Sequence, residues 1–249
     1  MTKDHVTLVA SAHERGITTL TLDSPANRNA LSARLVVELS EALAGCAKDD
    51  SVRAVVLTHS GSTFSAGVDL KAPPNPYTFV ALLRQIVTLP KPVLARITGH
   101  VRAGGLGVVG ACDIAVGGTG ADFAFTEVRI GVAPAVISLP LLPRMDPRAA
   151  ERYYLTGERF DAAEAARIGL LTLSADDVDQ ALEPMLDGLR RASPQALAAS
   201  KELLAARVLE GFDRDAEDLV QLSASLFASA AAREGMTAFL ERRDAAWVL

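Results

Sequence analysis

Layered sheets wrapped by helices, followed by a nearly all-helical C-terminal region, form the α/β fold class that this chain predicts. Three observations predict it. Short apolar strands alternate with amphipathic helices through the first two-thirds; the rhythm there is strand, strand, helix; and after about Pro147 the pattern turns almost wholly helical. The chain has 249 residues, 49% of them hydrophobic but only 5% aromatic, so it can bury a full core of mostly small and aliphatic side chains.

Residues 17–22, Ile-Thr-Thr-Leu-Thr-Leu, alternate at period two and read as a strand that ends at Asp23, Ser24 and Pro25. Ser32 can cap a helix whose apolar stripe is Leu35, Val36, Leu39 and Leu43, running to about Lys48. Residues 53–57 are a short buried strand. A helix over 77–89 stops at Pro90 and Pro92, because a proline pushes the residue before it out of the helical region. Residues 93–97 form the next strand, followed by a glycine turn, a helix to about Cys112, and strands at 113–116 and 122–125. Beyond Pro147, helices are predicted over 147–154, 162–168, 177–191, 194–209, 213–228 and 231–243, with a small strand at 170–173. Asp161 and Glu164 have capping-box spacing, and Ser193 places a cap residue before Pro194 in a first helical turn. Several of these helices are short and alanine-rich, so they must pack on the core or on another subunit.

Charge and composition exclude several classes. The formal charge of −5 argues against nucleic acid as a partner and makes the few local basic positions more telling for an anionic ligand. No apolar run reaches the length of a membrane span, and Met1-Thr-Lys-Asp-His5 has no apolar leader core, so no membrane partner and a cytoplasmic location are expected. Cys46 and Cys112 are expected to be free buried thiols. His5, His13, His59 and His100 stand singly, without metal-ligand spacing, so no metal site is expected.

The chemistry is concentrated in two glycine-bearing turns, Ser65-Ala-Gly-Val68 and Ala103-Gly-Gly105, each following a segment that reads as a buried strand. The second opens a small-residue helix over 106–112. Small side chains let main-chain N–H groups approach one ligand atom, and a helix N-terminus adds a positive dipole end. Two such donors meeting at one point would make an oxyanion hole. Glu127 follows, between Phe123/Phe125 and Val128/Ile130, where an apolar setting would raise its pKa into the range of a useful base. On local sequence alone, tight-turn glycines and an exposed strand-end carboxylate remain the alternative.

An ordered series of motifs resembles the enoyl-CoA hydratase/isomerase family, the crotonase superfamily, over essentially the whole chain. Ser24-Pro25 with Asn29-Ala-Leu31 is similar to the N-terminal signature, and Phe64-Ser-Ala-Gly-Val-Asp-Leu70 to the first oxyanion loop. Lys91-Pro-Val-Leu-Ala95, Gly99, Ala103-Gly-Gly105 and Ala111-Cys-Asp-Ile-Ala115 are similar to the second. Phe125-Thr-Glu127, Gly131, Pro134, Leu155-Thr-Gly157, Ala162, Glu164-Ala165 and Gly169-Leu170 complete the series.

The resemblance implies a crotonase-like spiral of ββα units, with a core and CoA site over 1–190 and a C-terminal helical trimerisation region over 191–249. It implies an acyl-CoA thioester as ligand, CoA being part of the substrate rather than a separate cofactor, and a homotrimer or a dimer of trimers. Carried over by position, the N–H groups of Val68 and Gly104 hold the thioester oxygen and Glu127 handles the proton. Ala66, Asp69, Leu70 and Lys71 line the CoA site, with Arg28 near its phosphates.

The chain also departs from the family pattern. Typical hydratases carry two glutamates, the first three residues beyond the second oxyanion donor; here that position is Gly107. Asp113 lies too far along to replace it and reads as a structural aspartate at a strand start. Gly107 together with residues 125–138 is most similar to methylglutaconyl-CoA hydratase-like bacterial members. The leading expectation is hydration of a 2-enoyl-CoA, branched or carboxylated, with Arg102 or Arg129 weighed as a partner for a distal carboxylate. The alternatives are a Δ3–Δ2 enoyl-CoA isomerase, which needs only one base, and a catalytically weak acyl-CoA-binding paralogue. A dehalogenase is set aside because Ala135 stands where its aspartate nucleophile is expected. The acyl-reading pocket is expected from a mobile segment over 72–84 and the C-terminal helices.

Overall fold

The computed structural model describes residues 7–249; the N-terminal segment read above for a leader, with His5, lies outside them. An antiparallel hairpin comes first, β1 (Val9–Glu14) against β2 (Ile17–Leu22). A short 3-10 turn (Pro25–Asn27) leads to α1 (Ala33–Lys48), where Ser32 Oγ accepts the Leu35 N–H at 3.2 Å as the sequence predicts. Three units of one build follow. The first is β3 (Ala54–His59), β4 (Thr63–Ser65) and α2 (Pro76–Thr88). The second is β5 (Val93–Ile97), β6 (His100–Arg102) and α3 (Gly104–Ala111). In the third, β7 (Ile114–Gly118) and β8 (Asp122–Ala124) are followed by a 3-10 turn (Glu127–Ile130) and α4 (Ser138–Leu141). The rest comprises α5 (Pro147–Thr156), β9 (Phe160–Asp161), α6 (Ala162–Arg167), β10 (Leu173–Ala175), α7 (Val178–Arg191), α8 (Pro194–Phe227) and α9 (Ala230–Glu241).

The first strand of each unit joins a six-stranded sheet, ordered β1-β2-β3-β5-β7-β10, and the second joins a four-stranded sheet, ordered β4-β6-β8-β9. From β2 to β10 every neighbour is parallel, as are β4, β6 and β8. This is the expected ββα spiral. Successive strand residues point to opposite faces, so Val55 and Leu57 enter the main core while Ala54 and Val56 pack with Val178 and Leu182 of α7. Both faces of β3 are therefore covered, and every residue in it is buried.

Several expectations are corrected. The helices predicted at 194–209 and 213–228 are one helix, α8, 34 residues long. Gly211 makes no close contact there, and its neighbour Phe212 is buried against the core while Asp213 pairs with Arg84 of α2 at 2.7 Å. Packing on both sides carries the helix through a residue that lowers propensity by only about 1 kcal/mol. The strand expected at 170–173 begins at Leu173 instead, because the Leu170 and Leu171 N–H groups both turn back to Ala165 O at 3.0 Å. The capping box is half made: Asp161 accepts the Glu164 N–H, but the Glu164 side chain goes to Tyr153 and Arg167. Within 72–84, α2 is docked on α8, with Tyr77 Oη donating to Glu217 at 2.8 Å.

Candidate active site

Parallel strands release their chains at the same sheet edge, and β4, β6 and β8 are parallel neighbours. Ala66, Gly67 and Val68 leave the first, Ala103 and Gly104 the second, and Phe125, Thr126 and Glu127 the third. The topology thus places all three sequence-predicted catalytic residues at one edge.

Local contacts bring two of them together. Gly67 has φ +92°, and a Cβ there would lie 2.9 Å from Ala103 Cβ and 3.5 Å from Gly104 N. A Cβ on Gly104 would in turn lie 3.5 Å from Val68 N. At position 67 only glycine allows this approach of one backbone to the other. The Val68 loop is pinned from outside: the Leu31 N–H donates to Gly67 O at 2.8 Å and the Asp69 N–H to Leu31 O at 3.1 Å. Ala103 is held at φ 46°, ψ −122°, a strained conformation for a residue with a Cβ, while its N–H donates to Ala124 O at 3.1 Å. Gly104 is the first residue of α3, whose opening N–H groups have no intrahelical acceptor. Among the described residues neither the Val68 nor the Gly104 N–H has a protein acceptor.

Glu127 opens the 3-10 turn after β8 and is 8% exposed. Its Oε2 has no hydrogen-bond partner among the described residues. Burial away from any compensating cation pushes its carboxyl up to about 7. The turn is fixed from inside by the Val132 N–H, which donates to Glu127 O at 3.1 Å, and from outside by α9, whose Gly235 lies against Ile130.

The residues expected to line the CoA site sit on the rim beside the Val68 loop. The Ala66 N–H donates to Arg28 O at 3.0 Å, which sets Arg28 next to that loop. Arg28 and Lys71 are exposed, and among the described residues neither forms an ion pair. Asp69 is used locally, accepting from the Lys71 N–H at 2.9 Å and from Asn27 Nδ2 at 3.3 Å. Leu70 is half-buried. Asn29, read in the sequence only as part of a signature, proves to be the buried tie of this rim. Its Oδ1 accepts from the Ser24 N–H at 2.7 Å, and its Nδ2 donates to Ser60 O and Thr63 O at 3.0 and 2.7 Å.

Other candidates lie apart. Arg102 is committed to Asp122, donating to its backbone O at 2.8 Å and its Oδ1 at 2.6 Å, and Arg129 Nε donates to Thr156 O at 3.3 Å. Asp113 is structural, as expected: Oδ2 accepts from the Val93 N–H and pairs with Lys201 Nζ, both at 2.7 Å. Gly107 is walled in, since a Cβ there would lie 2.5 Å from Ile137 Cγ2. A cavity of about 410 Å³ lies elsewhere, between the C-terminal end of α3 and α8, where Cys112, Arg144 and Leu204 line it.

Comparison with known proteins places the whole chain in one family. A family model described as enoyl-CoA hydratase/isomerase matches residues 12–248. The crystal structure of an enoyl-CoA hydratase from Mycobacterium avium is 53% identical, covering 97% of this chain and 99% of that one with a TM-score of 0.91. The crystal structure of an enoyl-CoA hydratase from Mycobacterium smegmatis is 33% identical, covering 96% and 98% with a TM-score of 0.76. Carnitinyl-CoA dehydratase of Citrobacter koseri is 32% identical over 247 residues, 92% of this chain and 93% of the relative. The chain belongs to the enoyl-CoA hydratase/isomerase family.

Proposed function

We propose that the protein adds water across the C2–C3 double bond of a 2-enoyl-CoA. The observation that carries this reading is a buried carboxyl whose Oε2 has no partner among the described residues, Glu127, at the same sheet edge as two unclaimed N–H groups, those of Val68 and Gly104. The two N–H groups receive the thioester oxygen, where charge develops as water adds at C3, so they stabilise the enolate more than the ground state. Removing one such donor costs roughly 2.7–4 kcal/mol in other oxyanion holes. Glu127, as carboxylate, takes a proton from water while the water oxygen bonds to C3. The resulting enolate then takes that proton back from Glu127 at C2, so one water is added and the carboxylate is restored. Its pKa near 7 suits it to both halves of the exchange.

Arg28 and Lys71 supply exposed cations for the CoA phosphates, with Ala66, Asp69 and Leu70 lining the approach; CoA is part of the substrate, and no separate cofactor enters. A branched or carboxylated acyl group is the finer reading. Arg102 is engaged with Asp122, whereas Arg129 is exposed and donates only through Nε, to Thr156 O. Exposed Leu203, Leu204, Leu222, Phe239 and Leu240 on α8 and α9 support assembly as a homotrimer or a dimer of trimers. Among the described residues no helix is long and apolar enough to cross a membrane, and a cytoplasmic location is part of the same reading.

A second reading, Δ3–Δ2 enoyl-CoA isomerisation, is favoured by one observation: Ile137 fills the space beside Gly107, so α3 supplies no second acid. Relatives named hydratase and dehydratase support water chemistry over isomerisation. A screen of short, long, branched and carboxylated 2-enoyl-CoAs, with Glu127→Ala as control, separates the readings. A stable 3-hydroxyacyl-CoA is the expected product. Net conversion of 3-enoyl to 2-enoyl thioesters without hydration would establish the isomerase. Normal acyl-CoA binding with turnover indifferent to Glu127 would leave only a binding paralogue.

A further inference from the structure

A hydratase has to hold its water by more than one contact, and here α3 cannot provide the second. The space that a side chain at 107 would enter is taken by Ile137, whose Cγ2 would stand 2.5 Å from a Cβ there. Directly after Ile137 comes Ser138, and beside Ser138 lies the phenol of Tyr154 on α5. The Tyr154 ring packs on Phe125, two residues before Glu127, with ring centroids 4.5 Å apart, and α5 packs on the Glu127 turn. The Tyr154 hydroxyl is buried and has no hydrogen-bond partner of good geometry among the described residues, and the same is true of Glu127 Oε2. Buried polar atoms in folded proteins are nearly always paired, so two orphans on adjoining elements mark a place built for a polar ligand. They are also close enough for the Glu127 charge to raise the phenol, which burial chiefly drives upward, so this hydroxyl stays neutral.

We infer that Tyr154 is a second catalytic residue of the site, one whose hydroxyl oxygen accepts the hydrogen of the attacking water that Glu127 does not take. This rests on the hydratase reading above. The hydrogen bonds balance along a chain. Ser138 Oγ donates to Pro134 O at 2.7 Å, which leaves its lone pairs free. A small rotation lets the Tyr154 O–H donate to Ser138 Oγ, which turns the phenol oxygen's own lone pair toward the water. Tyr154 transfers no proton; it orients the water oxygen toward C3 while Glu127 removes the other hydrogen. The second polar group of the site thus comes from α5 in place of α3.

The test compares Tyr154→Phe, Ser138→Ala and Glu127→Gln on but-2-enoyl-CoA, or on whichever 2-enoyl-CoA the screen ranks first. The readouts are kcat, the inhibition constant of the matching saturated acyl-CoA, and thermal melting. Tyr154→Phe keeps the ring on Phe125 and removes only the hydroxyl. It should lower kcat for hydration about tenfold or more, as expected for one buried hydrogen bond, with the inhibition constant and melting temperature essentially unchanged. Ser138→Ala should show a smaller loss in the same direction. Unchanged kcat in Tyr154→Phe, with hydration lost in Glu127→Gln, would overturn this inference and leave the hydratase reading standing. A fall in kcat matched by weaker inhibitor binding and a lower melting temperature would make the hydroxyl structural and overturn it as well. Wild-type hydration by Glu127→Gln would remove Glu127 as the base and this inference with it, whereas no hydration by the wild type on any thioester of the screen would remove the hydratase reading itself.

Discussion

Two carboxylates of this fold are drawn in from solvent under opposite circumstances. Asp113, at the exit of α3, is paired: its Oδ2 meets Lys201 Nζ and the Val93 N–H, and Lys201 Nζ also donates to Ile86 O and Lys91 O at 2.8 and 3.0 Å. One cluster thereby ties α2, β5, α3 and α8 together. Glu127, at the entrance of the neighbouring turn, has no such partner. A buried charge without a partner costs stability, and a buried pair with all its bonds made holds elements in place. The difference teaches which end of α3 is anchor and which is workplace. The C-terminal end is satisfied, whereas the N-terminal end keeps free donors, a strained Ala103 and an acid near neutrality.

The contrast is broken most severely at Glu127. Glu127→Gln should lower hydration by about 10²–10⁴-fold, the usual worth of a positioned acid–base group, measured as kcat/KM on the best substrate of the screen. Stability should move the other way. The folded pKa is raised from 4.5 to about 7, so the neutral carboxyl is the form the fold favours. Its contribution is complete below 4.5 and drains away as pH rises through about 7. Wild type should therefore lose on the order of 3 kcal/mol between pH 4 and pH 9 that Glu127→Gln does not lose, read from urea denaturation at the two pH values.

At the anchor the expected effect is on folding and not on chemistry. Asp113→Ala strands the Lys201 ammonium among two carbonyls and should cost about 3–5 kcal/mol in urea denaturation. The KM of molecules that remain folded should not change. The smallest expected effect sharpens the boundary between the two ends. Gly107→Ala pushes a methyl into Ile137 and should cost about 1–3 kcal/mol. In an Ile137→Ala background that cost should shrink, which a double-mutant cycle measures as coupling.

Much of this was legible in the sequence because the responsible residues act through backbone shape. Gly67 and Gly104 announce close approach, and Glu127 among phenylalanines announces a buried acid. The strand–strand–helix rhythm fixes which strands are parallel neighbours, and so which turns share an edge. What escaped depends on contacts between distant segments. The strand β1 carries no apolar alternation, as five of its six residues are exposed, and it exists because β2 offers an edge. Gly211 reads as a helix break, but Phe212 and Asp213 are held by α2 and the core. Tyr154 reads as one of two tyrosines on an amphipathic helix, and only the neighbouring Phe125, Ser138 and Glu127 give its hydroxyl a meaning. Local pattern encodes the proposed catalytic edge, whereas tertiary packing decides what else faces it.

The convergence of two N–H groups and one acid is tested most directly by the crystal structure of Glu127→Gln with a bound 2-enoyl-CoA. The thioester oxygen should lie within about 2.7–3.1 Å of both Val68 N and Gly104 N, with the residue-127 side chain facing C2 and C3. A thioester oxygen bound away from those two nitrogens, or a residue-127 side chain turned from the double bond, would contradict the account.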